Sequence, residues 1–342
     1  MAGDIGKELP RARTVGGSGK GISRRSLLRL GAKAAVVATI GQWAGRQAYS
    51  DEQEAARKGD KVLDALGGFL KGKDQNQSGV QVEVSQKPDL VSAEFKAVFA
   101  DLTSDEKRGA LERVREAKAL MLGILKNQVI ENVSFNEDLI IKSAREKGVP
   151  ESLLLGMVIM ESSGNEKAVS GVGAKGLTQM MDGMAVKHEL NINDGDDDER
   201  FIPEKILPAT ATELVEQYGR YGDWSLAVWD WHAGNKNVYT ALQVYLKEAY
   251  REELPDINVY PSDESEEAKA VATVEADRRI RLFREAIGQH KITVYQLFEN
   301  PTITEMFSGE EWNMTDEYVF RVVAASEAYL EEKRKLGLNV PE

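Results

Sequence analysis

The 342-residue chain contains no cysteine. That excludes a disulfide framework, a thiolate zinc site and a cysteine nucleophile. The three histidines (His188, His232 and His290) are too scattered to suggest a metal cluster, so neither metal nor cofactor is expected. A long hydrophobic run is also missing. The stretch from Leu30 to about Trp43 is interrupted by Gly31, Lys33, Gly41 and Gln42. It falls short of the ~18 unbroken apolar residues that a spanning helix requires. A net positive charge is missing beyond the first fifty residues. Residues 1–50 carry nine Lys/Arg and two Asp/Glu, a net of +7, which leaves −19 on the remainder of a chain whose total is −12. So acidic a body has no broad electrostatic footprint for nucleic acid or anionic lipid, and no nucleic-acid partner is expected.

What the N-terminus does contain is an ordered set of signals. Ser23-Arg24-Arg25-Ser26-Leu27-Leu28-Arg29 precedes the apolar stretch, and Ala48-Tyr49-Ser50 follows it. Charged, apolar and small residues in that order are the layout of a secretory signal. The arginine pair followed by two leucines resembles a twin-arginine export signal. Residues 1–50 are therefore expected to be removed after Ser50. With no cysteine to lipidate there, the mature protein is expected to be free in the periplasm, with no stable membrane anchor.

The rest of the chain reads as mainly α. Residues 51–70 are weakly helical, and 71–88 form a polar linker with breakers. From Leu90 to about Asn132 apolar residues recur at helical spacing: Phe95, Val98 and Phe99, then Val114, Ala117, Met121 and Leu125. Thr103-Ser104-Asp105-Glu106 offers capping residues between two helices. The region 51–135 thus reads as a linker plus a helical accessory region. Further helices are expected at 138–147, 151–162, 208–219, 224–232, 236–251, 264–287 and 316–335, with strands only at 79–85 and 291–295. The acidic run 191–199 lacks the spacing of a calcium loop and reads as solvated.

Within 151–162, Leu154, Met157, Val158 and Glu161 share one stripe. Glu161 then points along an apolar face in the last turn, where desolvation and the helix dipole both raise a carboxyl pKa. A carboxyl still protonated near neutral pH can protonate a glycosidic oxygen. The helix alone leaves open a frayed end with an exposed glutamate.

The following residues narrow the choice. The run from Glu161 to Asp182 contains Glu161-Ser162, Asn165, Ala168-Val169-Ser170, Gly173-Ala174-Lys175 and Gly176-Leu177-Thr178-Gln179. This run resembles the catalytic segment of the soluble lytic transglycosylases, relatives of the goose-type lysozymes, in residue type and spacing. Thr178 departs from the family methionine. The family's Ala-Tyr-Asn-Ala-Gly element is met as Asp230-Trp231-His232-Ala233-Gly234, preceded by Gly222-Asp223-Trp224-Ser225-Leu226-Ala227. Here Trp231 replaces tyrosine and His232 an asparagine that binds saccharide, so His232 is either a sugar ligand or a structural hydrogen-bonder. Glu317-Tyr318-Val319 looks similar to the start of the family's closing helix, whose tyrosine bonds the catalytic carboxyl; a core tyrosine is the alternative.

The resemblance implies a lysozyme-like catalytic domain over 136–335, with a charged helical insertion at about 250–290. It also implies one catalytic carboxylate. Glu161 would cleave the β-1,4 bond between N-acetylmuramic acid and N-acetylglucosamine in peptidoglycan strands, giving 1,6-anhydromuramyl products. Ser162 and Tyr318 would support Glu161, although Ser162 is alternatively a helix-end hydroxyl. Gln179, the backbone around Met180, Trp231 and His232 would contact sugar; Trp229 and Trp231 offer stacking faces, or core packing for one of them. Two other readings remain. One is a hydrolase with a second carboxylate from Asp182 or the acidic loop. The other is a catalytically weak peptidoglycan-binding protein of the same fold.

Overall fold

The first helix among the described residues, α1 (Ala93–Phe99), is started by Ser92, whose hydroxyl accepts from the Phe95 N–H at 3.0 Å. The computed structural model describes residues 92–340, apart from 194, 196, 263–264 and 309–316. The export signal read at 1–50, the linker and the strand expected at 79–85 lie outside the described residues.

Helix α2 (Ser104–Ile124) begins at the predicted capping residues: Thr103 and Glu106 form a reciprocal capping box. Helix α3 (Asn127–Lys147) starts well before the expected Asp138. Ile130 and Val133 extend the buried stripe of Ile140 and Ala144 toward the N-terminus, so one unbroken helix runs through 135–136. The domain boundary drawn there falls inside a rod. Gly148, at φ 76°, closes α3 in the left-handed conformation that glycine adopts without strain.

Helix α4 (Glu151–Ser162) is apolar on every side: Leu153 through Ile159 are all buried. It is a central helix rather than the one-striped helix expected, because neighbours cover it all round. Helices α3, α4 and α12 (Tyr318–Lys335) pack together through it. Gly156 permits the closest approach, since a Cβ there would lie 2.1 Å from the Val322 carbonyl oxygen of α12.

A short helix α5 (Asp182–Lys187) and a 3-10 turn (Glu199–Phe201) lead into α6 (Pro203–Tyr221), α7 (Trp224–Ala233) and α8 (Asn235–Tyr250). Pro203 at the first position of α6 and Asp223, whose carboxylate accepts from the Leu226 N–H, set two of these starts. The charged insertion is α9 (Glu266–His290). Its C-terminal half is anchored by Phe283, whose ring meets Tyr239 of α8 edge-on at 4.9 Å. The strand expected at 291–295 is instead the entry to α10 (Val294–Glu299), capped reciprocally by Thr293 and Gln296. Alternating Ile292 and Val294 suggested a strand, but the cap decides the local backbone. After α11 (Pro301–Met306) the chain closes with α12, buried along most of its length and packed on α2, α4 and α7.

The fold is mainly α. Among the described residues there are only two isolated bridges, Val169–Lys175 and Lys175–Met180. No described helix is long and apolar enough to cross a membrane.

Candidate active site

Helix α4 stops because Ser163 turns left-handed, at φ 53°, and its N–H bonds back to the Ile159 carbonyl. Glu161 therefore occupies the last turn. Its Oε1 accepts a 2.5 Å hydrogen bond from the Tyr318 hydroxyl, which opens α12 a full 157 residues later. Burial pushes the Glu161 carboxyl up to about 7, against the opposing effect of the Tyr318 bond. Tyr318 is itself buried, and burial followed by the Glu161 charge holds its hydroxyl far above 10. It is consequently a permanent donor. One carboxyl oxygen is held by the protein, and the same group carries a proton near neutrality.

The third member comes from α7. The His232 ring lies flat on the Tyr318 ring, with centroids 4.1 Å apart and planes 7° from parallel. His232 retains solvent access, but the protein crowding it, and secondarily the Arg321 charge, lower its pKa to about 4. The ring is thus neutral at physiological pH. Neither imidazole nitrogen has a hydrogen-bond partner among the described residues, so both remain available to a ligand.

The other sequence candidates fare differently. Ser162 is buried and its hydroxyl donates to the Val158 carbonyl at 3.1 Å, which is the helix-end role rather than support of Glu161. Its position one residue on turns it away from its neighbour's face. Gln179 is left-handed (φ 53°), and its Nε2 donates inward to Ala168 and Gly176. Its buried Oε1 has no partner among the described residues, so the amide braces the loop and keeps one acceptor spare. Met180 is buried, and its backbone N–H and carbonyl are both engaged with Lys175. Those two backbone groups are thus engaged within the protein. Trp229 is core, packed edge-on against Phe298 and Phe307, whereas Trp231 is half-buried. Thr178, the departure from methionine, is explained: its buried hydroxyl bonds Thr210 at 2.7 Å.

A second cluster was not legible beforehand. Arg200 is buried and joins both oxygens of the buried Asp198, the carbonyls of Gly173 and Met180, and Asp182. Lys175 adds a 3.1 Å bond to Asp198. The run 191–199 is therefore no simple solvated loop; through Asp198 it is locked to the 168–180 segment beside the site. Gly176 allows that closeness, since a Cβ would stand 1.8 Å from the Arg200 carbonyl oxygen. The only sequence hint is a lone arginine closing an acidic run. A further set, buried Glu213, Tyr221 and Asp230 with half-buried Arg220, ties α6 to α7; Tyr221 donates to Asp230 at 2.9 Å. No group of three or more metal-ligating side chains occurs among the described residues.

Two comparisons bear on this geometry. The sequence profile of the Transglycosylase SLT domain matches residues 138–253. Over 86 residues the chain is 38% identical to a protein of Enterobacteria phage PRD1 named "Transglycosylase". That stretch is 25% of this chain and 30% of the phage protein, so the likeness spans under a third of the relative's length. The profile takes in Glu161, the 162–182 run and His232, and ends before Tyr318. Residues 138–253, about a third of the chain, are thus similar in sequence to a transglycosylase SLT domain.

Proposed function

We propose that this protein is a peptidoglycan lytic transglycosylase in which Glu161 is the single catalytic carboxyl. The observation that carries the reading is the desolvated Glu161 held at one oxygen by a tyrosine that stays protonated. A carboxyl poised near neutrality can act first as acid and then as base. Glu161 protonates the oxygen between N-acetylmuramic acid and N-acetylglucosamine, and that bond breaks. The substrate's acetamido oxygen stabilises the anomeric carbon. The Glu161 carboxylate then takes the proton of the muramyl O6 hydroxyl as O6 bonds the anomeric carbon, closing the 1,6-anhydro ring. The enzyme returns to its protonated state and no water is consumed. His232, neutral and beside Tyr318, and half-buried Trp231 are the side chains proposed to contact sugar.

A hydrolytic alternative needs a second carboxylate to activate water. Asp182 and, within the acidic loop, Asp198 are both bound by Arg200, which counts against these two in that role. Digestion of purified sacculi followed by mass spectrometry separates the two chemistries. Non-reducing anhydro-muropeptides are expected; products heavier by one water, with reducing ends, would sink the lyase assignment. We further propose export to the periplasm by the twin-arginine route, on the strength of Arg24-Arg25 and the segment behind them. Exchange of both arginines for lysine is expected to leave the precursor in the cytoplasm.

The pH dependence follows from Glu161. Its protonated form starts the reaction, and burial raises its pKa to about 7. The kcat/KM profile is expected to be flat or rising below that value and to fall about tenfold per pH unit above it. His232, already neutral above about 4, contributes no second limb in that range. A profile unchanged from pH 6 to 9 would contradict the assignment.

A further inference from the structure

Tyr318 stands at the least self-supported point of α12. Residue 317 precedes the helix with φ −106° and ψ −10°, and its own side chain makes no cap hydrogen bond to the first turn. An N-terminus without a side-chain cap frays readily unless something outside the helix holds it. Among the described residues, α2 supplies such outside support. The Arg113 guanidinium donates to Glu317 Oε1 at 3.1 Å and lies over the Phe320 ring at 4.4 Å, so it grips the residues on both sides of Tyr318. The pair is largely shielded from water, with side-chain exposures of 11% and 26%, and so is less weakened by solvent than a surface ion pair. Farther along, Lys118 bridges Glu327 and Glu331, and the Ser92 hydroxyl bonds Glu327. Phe99 of α1 stacks on Phe320 with centroids 5.4 Å apart. Helices α1 and α2 thus lie against the closing helix, and all of these contacts fall outside the matched segment 138–253.

We propose that α1 and α2 are a positioning element of the active site, in which the Arg113–Glu317 pair sets the first turn of α12 and thereby holds the Tyr318 hydroxyl on Glu161. This rests on Glu161 being the catalytic carboxyl. Arg113 touches neither substrate nor Glu161; it acts through Tyr318. A shift of about an ångström at a positioned group can lower a rate by up to about a hundredfold, so the coupling is measurable.

The test uses the full chain with Arg113→Met, which keeps the stem on Phe320 but removes the ion pair, and Glu317→Gln, which breaks the pair from the other side. Each is made alone and in a Tyr318→Phe background. The first readout is the Glu161 carboxyl titration, followed by 13C NMR and assigned by its loss in Glu161→Gln. The second is kcat and KM on soluble glycan strands. Because the Tyr318 bond favours the charged carboxylate, loosening it is expected to move the Glu161 midpoint upward. We expect kcat to fall about tenfold with KM within about twofold in both variants, and neither readout to change further in the Tyr318→Phe background. An unchanged midpoint and kcat would overturn the inference. So would an equal shift with and without the Tyr318 hydroxyl, because that would be the through-space charge of Arg113. If the midpoint couples as expected while wild type releases no anhydro-sugar, the positioning stands and the proposed function falls. If Arg113→Met does not fold, Glu317→Gln carries the same test.

Discussion

Replacing Glu161 by glutamine is expected to lower kcat by at least about a thousandfold, because one carboxyl supplies both the acid and the base. KM should move little, since the loss lies in the transition state and not in ground-state binding. Glutamine keeps the volume and still accepts from Tyr318, so the site should remain intact. The same variant should also be more stable than wild type at alkaline pH. In the folded protein the carboxyl titrates at about 7, against an ordinary 4.5 in the unfolded chain. Between those values the folded state binds more protons than the unfolded one, so stability falls as pH rises and then levels off above about 7. Ionising a group so shifted costs at most about 3 kcal/mol, which Glu161→Gln avoids. Loss of activity together with a gain in stability at pH 8, absent at pH 4, separates a functional carboxyl from a structural one. Activity within about tenfold of wild type would remove Glu161 from the mechanism.

The largest destabilisation is expected from Asp198→Ala. Arg200 is 2% exposed and would lose its principal partner, leaving a buried cation without adequate compensation. Breaking a buried pair in this way costs about 3–5 kcal/mol. For a body of this size that is a fall in Tm of roughly 10 °C, readable by calorimetry. Asp198→Asn keeps acceptor geometry at one oxygen and should fall between the two. Burial by itself would raise the Asp198 carboxyl, but the bonds from Arg200 and Lys175 outweigh it and hold the group well below the usual carboxylate range. The depressed value means that the stabilisation is fully present above the unfolded pKa near 3.8 and is lost as pH falls below it. The gap in Tm between wild type and Asp198→Ala should therefore narrow in strong acid. A variant within about 2 °C of wild type at pH 7 would show that the latch contributes little.

The sequence by itself determined what depends on neighbours along the chain. The span of α4, the Thr103–Glu106 box, the end of α3 at Lys147, and the mainly helical class all follow from periodicity and capping within a few residues. The run from Glu161 to Gln179 was legible for the same reason: its residues sit at fixed spacing in one stretch. Expectations failed where two local signals compete or where a partner lies off the local pattern. Ile292 and Val294 alternate like a strand, but Gln296 caps a helix there. Asp197 and Asp198 are adjacent and chemically identical, yet only Asp198 is enclosed, because Arg200 and Lys175 meet it. Ser162 sits beside Glu161 in sequence and faces elsewhere in space, since successive helical residues point about 100° apart. Tertiary structure alone decided that α7 and α12 bring His232 and Tyr318 to the end of α4, and that α2 grips the turn holding Tyr318. Burial is what raises the Glu161 pKa, and burial is set by helices distant in sequence; the identity of the carboxylate and the direction of its shift were local information, and the choice against a frayed, exposed end was not.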